Sequence, residues 1–299
     1  MINKRVELNR SQSVTRRGAL KRIGVGLTGV ALARLGMNEA RAITNGQLDG
    51  MAHPNVGGFI WQVSPRLPAP APLVAGSGVL IHPRVVLTAG HGTDLVESLI
   101  TQGAMTLNDI LVSFASDASD PRTWRAISRV LTHPGYAPNS NSSEDVGVVI
   151  LNNAVTRIAP IALPPLGFLN TLAAAGELKT NSIRTRFTVV GYGVDPADAN
   201  FGHVPFPPDG LRRVAQPEFR NLHDRWLYTD QNDSRDNGGT STGDSGGPLF
   251  WVDPATSRET FVAITSRGTL TSSQLYRVDT EKALSFISAV LAMVEAGEL

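Results

Sequence analysis

The run TGDSGGPLF, Thr242 to Phe250, sets one serine among three glycines. A serine hydroxyl is a poor nucleophile unless a base takes its proton and donors stabilise the oxyanion that forms. Neighbouring glycines suit that chemistry, because they accept strained dihedrals and let a substrate carbonyl approach backbone N–H groups. Ser245, with Gly243 before it and Gly246-Gly247 after it, is therefore a candidate nucleophile; the plainer reading is a polar turn ahead of the apolar run PLFWV.

A base must accompany it. The same letters satisfy G-x-S-x-G, but in α/β-hydrolases the histidine follows the serine, and the last histidine here is His223. The base precedes Ser245. Of the six histidines, His53, His82 and His133 stand before prolines, and His203 and His223 lie in polar stretches, all loop-like settings. His91 differs: VVLTAGHG carries an apolar strand into small residues and leaves an imidazole at its end. The third member of such a set is a buried carboxylate that orients the imidazole and stabilises its protonated form. Most aspartates between His91 and Ser245 sit among turn residues, whereas Asp145 opens DVGVVIL, an apolar strand that buries its first residue.

The elements that must position these groups read as short β-rich runs such as VGGFIWQV, VLIHPRVVLT, VGVVIL, RFTVVGYG and TFVAIT, separated by Gly, Pro, Asn and Asp clusters. That pattern predicts many antiparallel strands and an all-β barrel or sandwich. Only the C-terminus is expected to break it: after Asp279-Thr280, apolar residues at Ala283, Leu284, Phe286, Ile287, Val290, Leu291 and Val294 have helical spacing. APAPLVAGSG and DPADANFGHVPFPPDG read as exposed loops.

TAGHG, DVGVVIL and TGDSGGPLF, in that order, resemble the trypsin-like (chymotrypsin-fold) serine peptidases over residues 43–299. The resemblance implies an all-β fold of two six-stranded antiparallel β-barrels, divided at about residues 155–185, with the active site in the cleft between them and a C-terminal α-helix. It implies a serine endopeptidase in which Ser245 attacks the acyl carbon, His91 relays the proton, Asp145 holds His91, and the N–H groups of Gly243 and Ser245 form the oxyanion hole. Ser266, in ITSRG, matches the serine that bonds the buried aspartate. Gly76, Gly92 and Ser241 stand where many relatives have bridging cysteines, and this chain has no cysteine. The substrate pocket falls on Gly239, Thr240, Ser266, Arg267 and Gly268. Gly239 occupies the place of the acidic pocket base that selects Arg or Lys, so an uncharged side chain is expected on the acyl side of the scissile bond; Arg267 leaves an acidic preference as the alternative. Neither a cofactor nor a metal is implied.

Residues 1–42 carry nine basic and two acidic residues, then an apolar run from Ile23 to Ala33, then the small-residue site Ala40-Arg41-Ala42. This is the order of an export signal, and the adjacent arginines of TRRGALK resemble the twin-arginine pattern; an ordinary secretory signal and a basic arm are the alternatives. Residues 43–299 then bear a net charge of −6, which argues against a nucleic-acid footprint, and no charge run points to a membrane once the signal is removed. The expected partner is a protein or peptide substrate, in the periplasm or outside the cell. Cleavage after Ala42 would expose Ile43, and the resemblance pairs that new ammonium with Asp244; a cut a few residues upstream is the alternative. A catalytically silent relative acting as a binding module is the competing function, against which the complete set of residues argues.

Overall fold

The computed structural model describes residues 46–62, 72–138, 140, 143–180, 185–193, 209–232, 237–269 and 271–299. Ile43 and the whole basic N-terminal segment lie outside the described residues, as does most of the expected loop DPADANFGHVPFPPDG. After a short strand β1 (Gln47–Leu48), six antiparallel strands close the first barrel. These are β2 (Val56–Trp61), β3 (Leu73–His82), β4 (Val85–Thr88), β5 (Ile110–Ser113), β6 (Arg125–Thr132) and β7 (Gly147–Leu151), in the order β2-β3-β4-β7-β6-β5.

The second barrel is built from β8 (Arg186–Gly191), β10 (Glu218–Leu222), β11 (Trp226–Asp230), β12 (Pro248–Val252), β13 (Glu259–Gly268) and β14 (Ser272–Arg277). It closes because β12 pairs back onto β8, Leu249 opposite Val189. β9 (Arg213–Ala215) extends the sheet from β8 and carries β1 on its far edge. Two six-stranded antiparallel barrels, as expected, therefore make up the fold.

Strand β7 shows why the apolar runs are continuous rather than alternating. Side chains along a strand point to opposite faces, and both faces of β7 are covered: Val148 and Ile150 join one core cluster, Val149 and Leu151 another. The second cluster is covered by a helix, α1 (Gly90–Thr101), whose Val96 and Leu99 pack with Phe59, Val130 and Val149. With α2 (Phe168–Ala174) it corrects the expectation that only the C-terminus is helical. The C-terminal helix α3 (Glu281–Glu295) is present, capped by the Thr280 hydroxyl, which accepts from Ala283 N at 3.3 Å. It buries Ala283, Ile287, Val290 and Val294 at helical spacing.

One further reading is overturned. Much of APAPLVAGSG is strand rather than exposed loop, for β3 begins at Leu73 and is largely buried. Its small residues serve close packing: a Cβ at Gly78 would stand 2.8 Å from Leu87 O and 2.9 Å from the Phe59 ring. His53 lies in a loop, as its setting before a proline indicates, but it is well partnered there. Its Nδ1 bonds Asp49, its Nε2 lies 2.9 Å from Glu259 Oε2, and its ring stacks on Phe250. Asp49 is in turn paired with the buried Arg212, whose Nε lies at 2.7 Å.

Candidate active site

Apolar strand β4 ends at Thr88, and the chain turns at Ala89 into α1, so His91 falls in the first turn of the helix. Ala89 offers no side-chain cap. The carboxylate of Asp145, just ahead of the neighbouring strand β7, supplies one: its Oδ1 accepts the backbone N–H of His91 at 2.7 Å. The same carboxylate meets the imidazole, with Nδ1 at 3.0 Å from Oδ2 and 3.2 Å from Oδ1. Ser266 Oγ also donates to Oδ2. Burial alone would raise the pKa of Asp145, but the bonds from His91 and Ser266 outweigh it and hold the carboxyl below its usual range. The tight fit of α1 on this segment depends on glycine: a Cβ at Gly90 would lie 2.9 Å from Val146 N.

Ser245 belongs to the turn that leads into β12, on the second barrel. Gly243 has φ +95° and Gly246 φ +81°, a region that disfavours side chains. The N–H groups of Asp244, Gly246 and Gly247 donate to Ser241 O, Thr265 O and Asp244 O. Those of Gly243 and Ser245 donate to no acceptor among the described residues. They are two free donors in one turn, the composition of an oxyanion hole. The turn is braced from the first barrel by Ser77, whose N–H donates to Ser245 O at 2.8 Å and whose hydroxyl donates to Gly243 O at 3.1 Å. No local pattern singled out Ser77.

His91 and Ser245 line one cavity, and among the described residues their side chains share no hydrogen bond in this conformation. Catalytic hydrogen bonds are often loose before substrate arrives. Asp244, beside the serine, is fully buried and accepts the N–H groups of Ser241 at 2.8 Å and Gly193 at 2.7 Å. Burial pushes its carboxyl up to about 7, against those two hydrogen bonds and the charge of Arg213.

The predicted acyl-side residues also gather on the second barrel. Beneath Gly239 sits a side chain that sequence reasoning missed: Gln231 occupies the space a Cβ there would need. Its Nε2 donates to Thr240 O at 3.1 Å and Thr269 O at 2.9 Å, and Ser273 Oγ donates to its Oε1 at 3.0 Å. Thr240 Oγ1 lies 2.6 Å from Ser273 Oγ. The groups around Gly239 are thus neutral and mutually satisfied. Gly268 adds little bulk, while the exposed Arg267 lays its guanidinium 6.0 Å from the centre of the Trp226 ring. The Ser266 hydroxyl is taken up by Asp145.

Behind Asp145, the buried Glu144 accepts from Arg225 Nε at 2.8 Å, Tyr276 Oη at 2.7 Å and Lys282 Nζ at 3.0 Å. It ties the aspartate's segment to the second barrel and to α3. Its three partners lie far along the chain and left no sequence signal.

Comparison with curated proteins gives no match. The Trypsin family profile matches residues 49–283, the span that holds both barrels and every side chain just described. The chain belongs to the trypsin family and is a serine-type endopeptidase acting on peptide or protein substrates.

Proposed function

We propose that this chain is an exported endopeptidase whose triad is Ser245, His91 and Asp145. Ser245 Oγ forms a bond to the scissile carbonyl carbon while its proton passes to His91. The oxyanion that results is held by the N–H groups of Gly243 and Ser245. His91 then gives the proton to the amine as the C–N bond breaks, leaving an acyl-enzyme that water hydrolyses by the same relay. Asp145 fixes the tautomer of His91 and balances its transient charge. The observation that carries the reading is the double hold of Asp145 on His91, by ring and by backbone, at the mouth of a cavity that Ser245 also lines.

Maturation belongs to the same proposal. Removal of residues 1–42 by the export machinery, through the twin-arginine route, frees the Ile43 ammonium to pair with Asp244. The high pKa of that buried carboxyl supports a requirement for an added cation. The product works in the periplasm or outside the cell. On the acyl side, the neutral set of Gln231, Thr240 and Ser273 under Gly239 favours an uncharged side chain.

Intact mass before and after a serine-directed fluorophosphonate tests this reading. A chain starting at Ile43 with a single adduct, absent in Ser245→Ala, is the expected result. An Ile43-starting chain that takes no adduct would point to a silent relative. Hydrolysis of a peptide panel tests specificity, and strong selectivity for Lys or Arg would refute the uncharged preference.

A further inference from the structure

The N–H groups of Gly243 and Ser245 are not held alike. A peptide unit is planar and trans, so fixing its carbonyl also fixes the N–H on its opposite side. Ser245 N–H shares its plane with Asp244 O, which accepts from Gly247 N at 2.8 Å. That donor is tied within the turn. Gly243 N–H shares its plane with Thr242 O, which accepts no hydrogen bond among the described residues. With φ +95° and no Cβ at Gly243, the direction of this donor is set only relative to the plane that follows. That following plane, from Gly243 to Asp244, is gripped at both ends: Asp244 N–H donates to Ser241 O at 3.1 Å, and Gly243 O accepts from Ser77 Oγ at 3.1 Å. Ser241 belongs to the same turn, whereas Ser77 comes from the other barrel.

Ser77 is fully buried on β3. Its backbone N–H holds Ser245 O at 2.8 Å, a bond that any residue except proline could supply. The hydroxyl is more specific. It donates to Gly243 O and accepts Tyr192 N–H at 3.0 Å, while the next N–H along the chain, that of Gly193, donates to Asp244 Oδ1 at 2.7 Å. Two successive amides after β8 therefore hold the turn, one directly and one through Ser77. The surroundings are close: a Cβ at Gly191 would lie 3.1 Å from Ser77 Oγ, and one at Gly247 would lie 3.2 Å from Ser77 Cβ. We propose that the Ser77 hydroxyl is a positioning group for acyl transfer, fixing the peptide plane that aims Gly243 N–H at the developing oxyanion. It also couples that donor to the segment that holds Asp244. The inference rests on Ser245 and Gly243 acting as proposed above, and the hydroxyl acts only through Gly243.

A stable tetrahedral adduct reads the oxyanion donors directly. In the chain starting at Ile43, Ser245 Oγ adds to the carbonyl carbon of a peptidyl trifluoromethyl ketone, its proton passes to His91, and the ketone oxygen becomes the hemiketal oxygen facing the two donors. The pH at which that oxygen ionises, followed by fluorine NMR of the trifluoromethyl group, reports how well they stabilise it. Deleting an oxyanion donor outright costs about 10²–10³-fold in kcat. Ser77→Ala leaves the donor in place and loosens its aim, so kcat should fall about 10- to 100-fold with KM unchanged. The hemiketal should then ionise at a pH about 1–2 higher. Ser77→Cys keeps nearly the shape of serine with a weak donor, so it should resemble Ser77→Ala. Rates are taken per site labelled to completion by the fluorophosphonate, which removes unfolded protein from the comparison, and either variant carries the test if the other does not fold. A hemiketal that ionises at the wild-type pH in a folded variant overturns the inference alone. So does a change confined to KM, or full activity in Ser77→Cys, which would make the role one of packing. A wild-type chain that forms no adduct overturns the reading of Ser245 and this inference with it.

Discussion

A chain that keeps residues ahead of Ile43 should lose more stability as pH rises through 7 than the processed chain does. The cause is Asp244, buried completely and held, among the described residues, by the N–H groups of Ser241 and Gly193 at 2.8 and 2.7 Å, with Arg213 acting through its charge. Burial moves its carboxyl from 3.8 to about 7, so ionising it in the fold costs about 4 kcal/mol. The folded chain then binds the proton more tightly than the unfolded one. Stability therefore falls as pH climbs from 3.8 through 7 and levels off above. Between pH 5 and pH 8 the loss is roughly 2–3 kcal/mol, which lowers Tm by about 5–10 °C in a domain of this size. An Ile43 ammonium delivered to Asp244 stabilises the ionised carboxylate and removes this part of the slope, leaving only what other groups such as His53 contribute equally to both chains. The assay compares thermal unfolding of two Ser245→Ala chains, one starting at Ile43 and one retaining Arg41-Ala42, at both pH values. Asp244→Asn in the longer chain should reduce its pH dependence to that of the processed chain. The same pH dependence in all three chains would refute the reasoning.

Three other outcomes follow from particular contacts. Asp145→Asn keeps the shape of the carboxylate but cannot accept from His91 Nδ1 and its backbone N–H together with Ser266; kcat should fall on the order of 10⁴-fold while the circular dichroism spectrum is retained. Burial disfavours a charged His53, yet its bonds to Asp49 and Glu259 push its pKa from 6.5 up to about 9. The resulting stabilisation of about 3 kcal/mol is complete below pH 6.5 and is lost as pH rises through 9. Urea midpoints should show that loss in the wild type and not in His53→Gln. Gly239→Asp should lower Tm and fail to create a preference for Lys or Arg, because the new Cβ collides with the Gln231 side chain; efficient cleavage after Lys by this single variant would contradict the packing.

The barrels were legible because their strands announce themselves locally. VVLT, GVVIL and PLFWV are short, rich in β-branched or aromatic residues and bounded by turn residues. What was not legible depends on partners remote in the chain. Helix α1 opens with Gly-His-Gly and has no capping side chain of its own; its cap is Asp145, 54 residues away. The start of β3 has the composition of a turn, since Ala75, Gly76 and Ser77 are small in order to lie against Phe59 and the Ser245 turn. His53 precedes a proline, which reads correctly as a loop but gives no sign of its ion pairs, since one of its two carboxylate partners is 206 residues away. Gln231 follows directly on β11 with nothing in its neighbourhood to mark it as the filler beneath Gly239.

The element missed in the sequence governs the motif that was found there. Asp145 spends one oxygen on the backbone N–H of His91, and so on the N-terminus of α1, while its carboxylate also holds the ring of the same residue. Negative charge at a helix N-terminus is favourable, so helix direction and ring orientation are fixed by one group. Gly147 makes room for this arrangement, because any Cβ there would run into Thr93 of the helix. The imidazole is therefore placed by a rigid element rather than by a flexible loop. The same helix, through Gly92, lines the cavity beside His91 and Ser245. Substitutions along the buried face of α1, at Val96 or Leu99, should therefore disturb the placement of the imidazole.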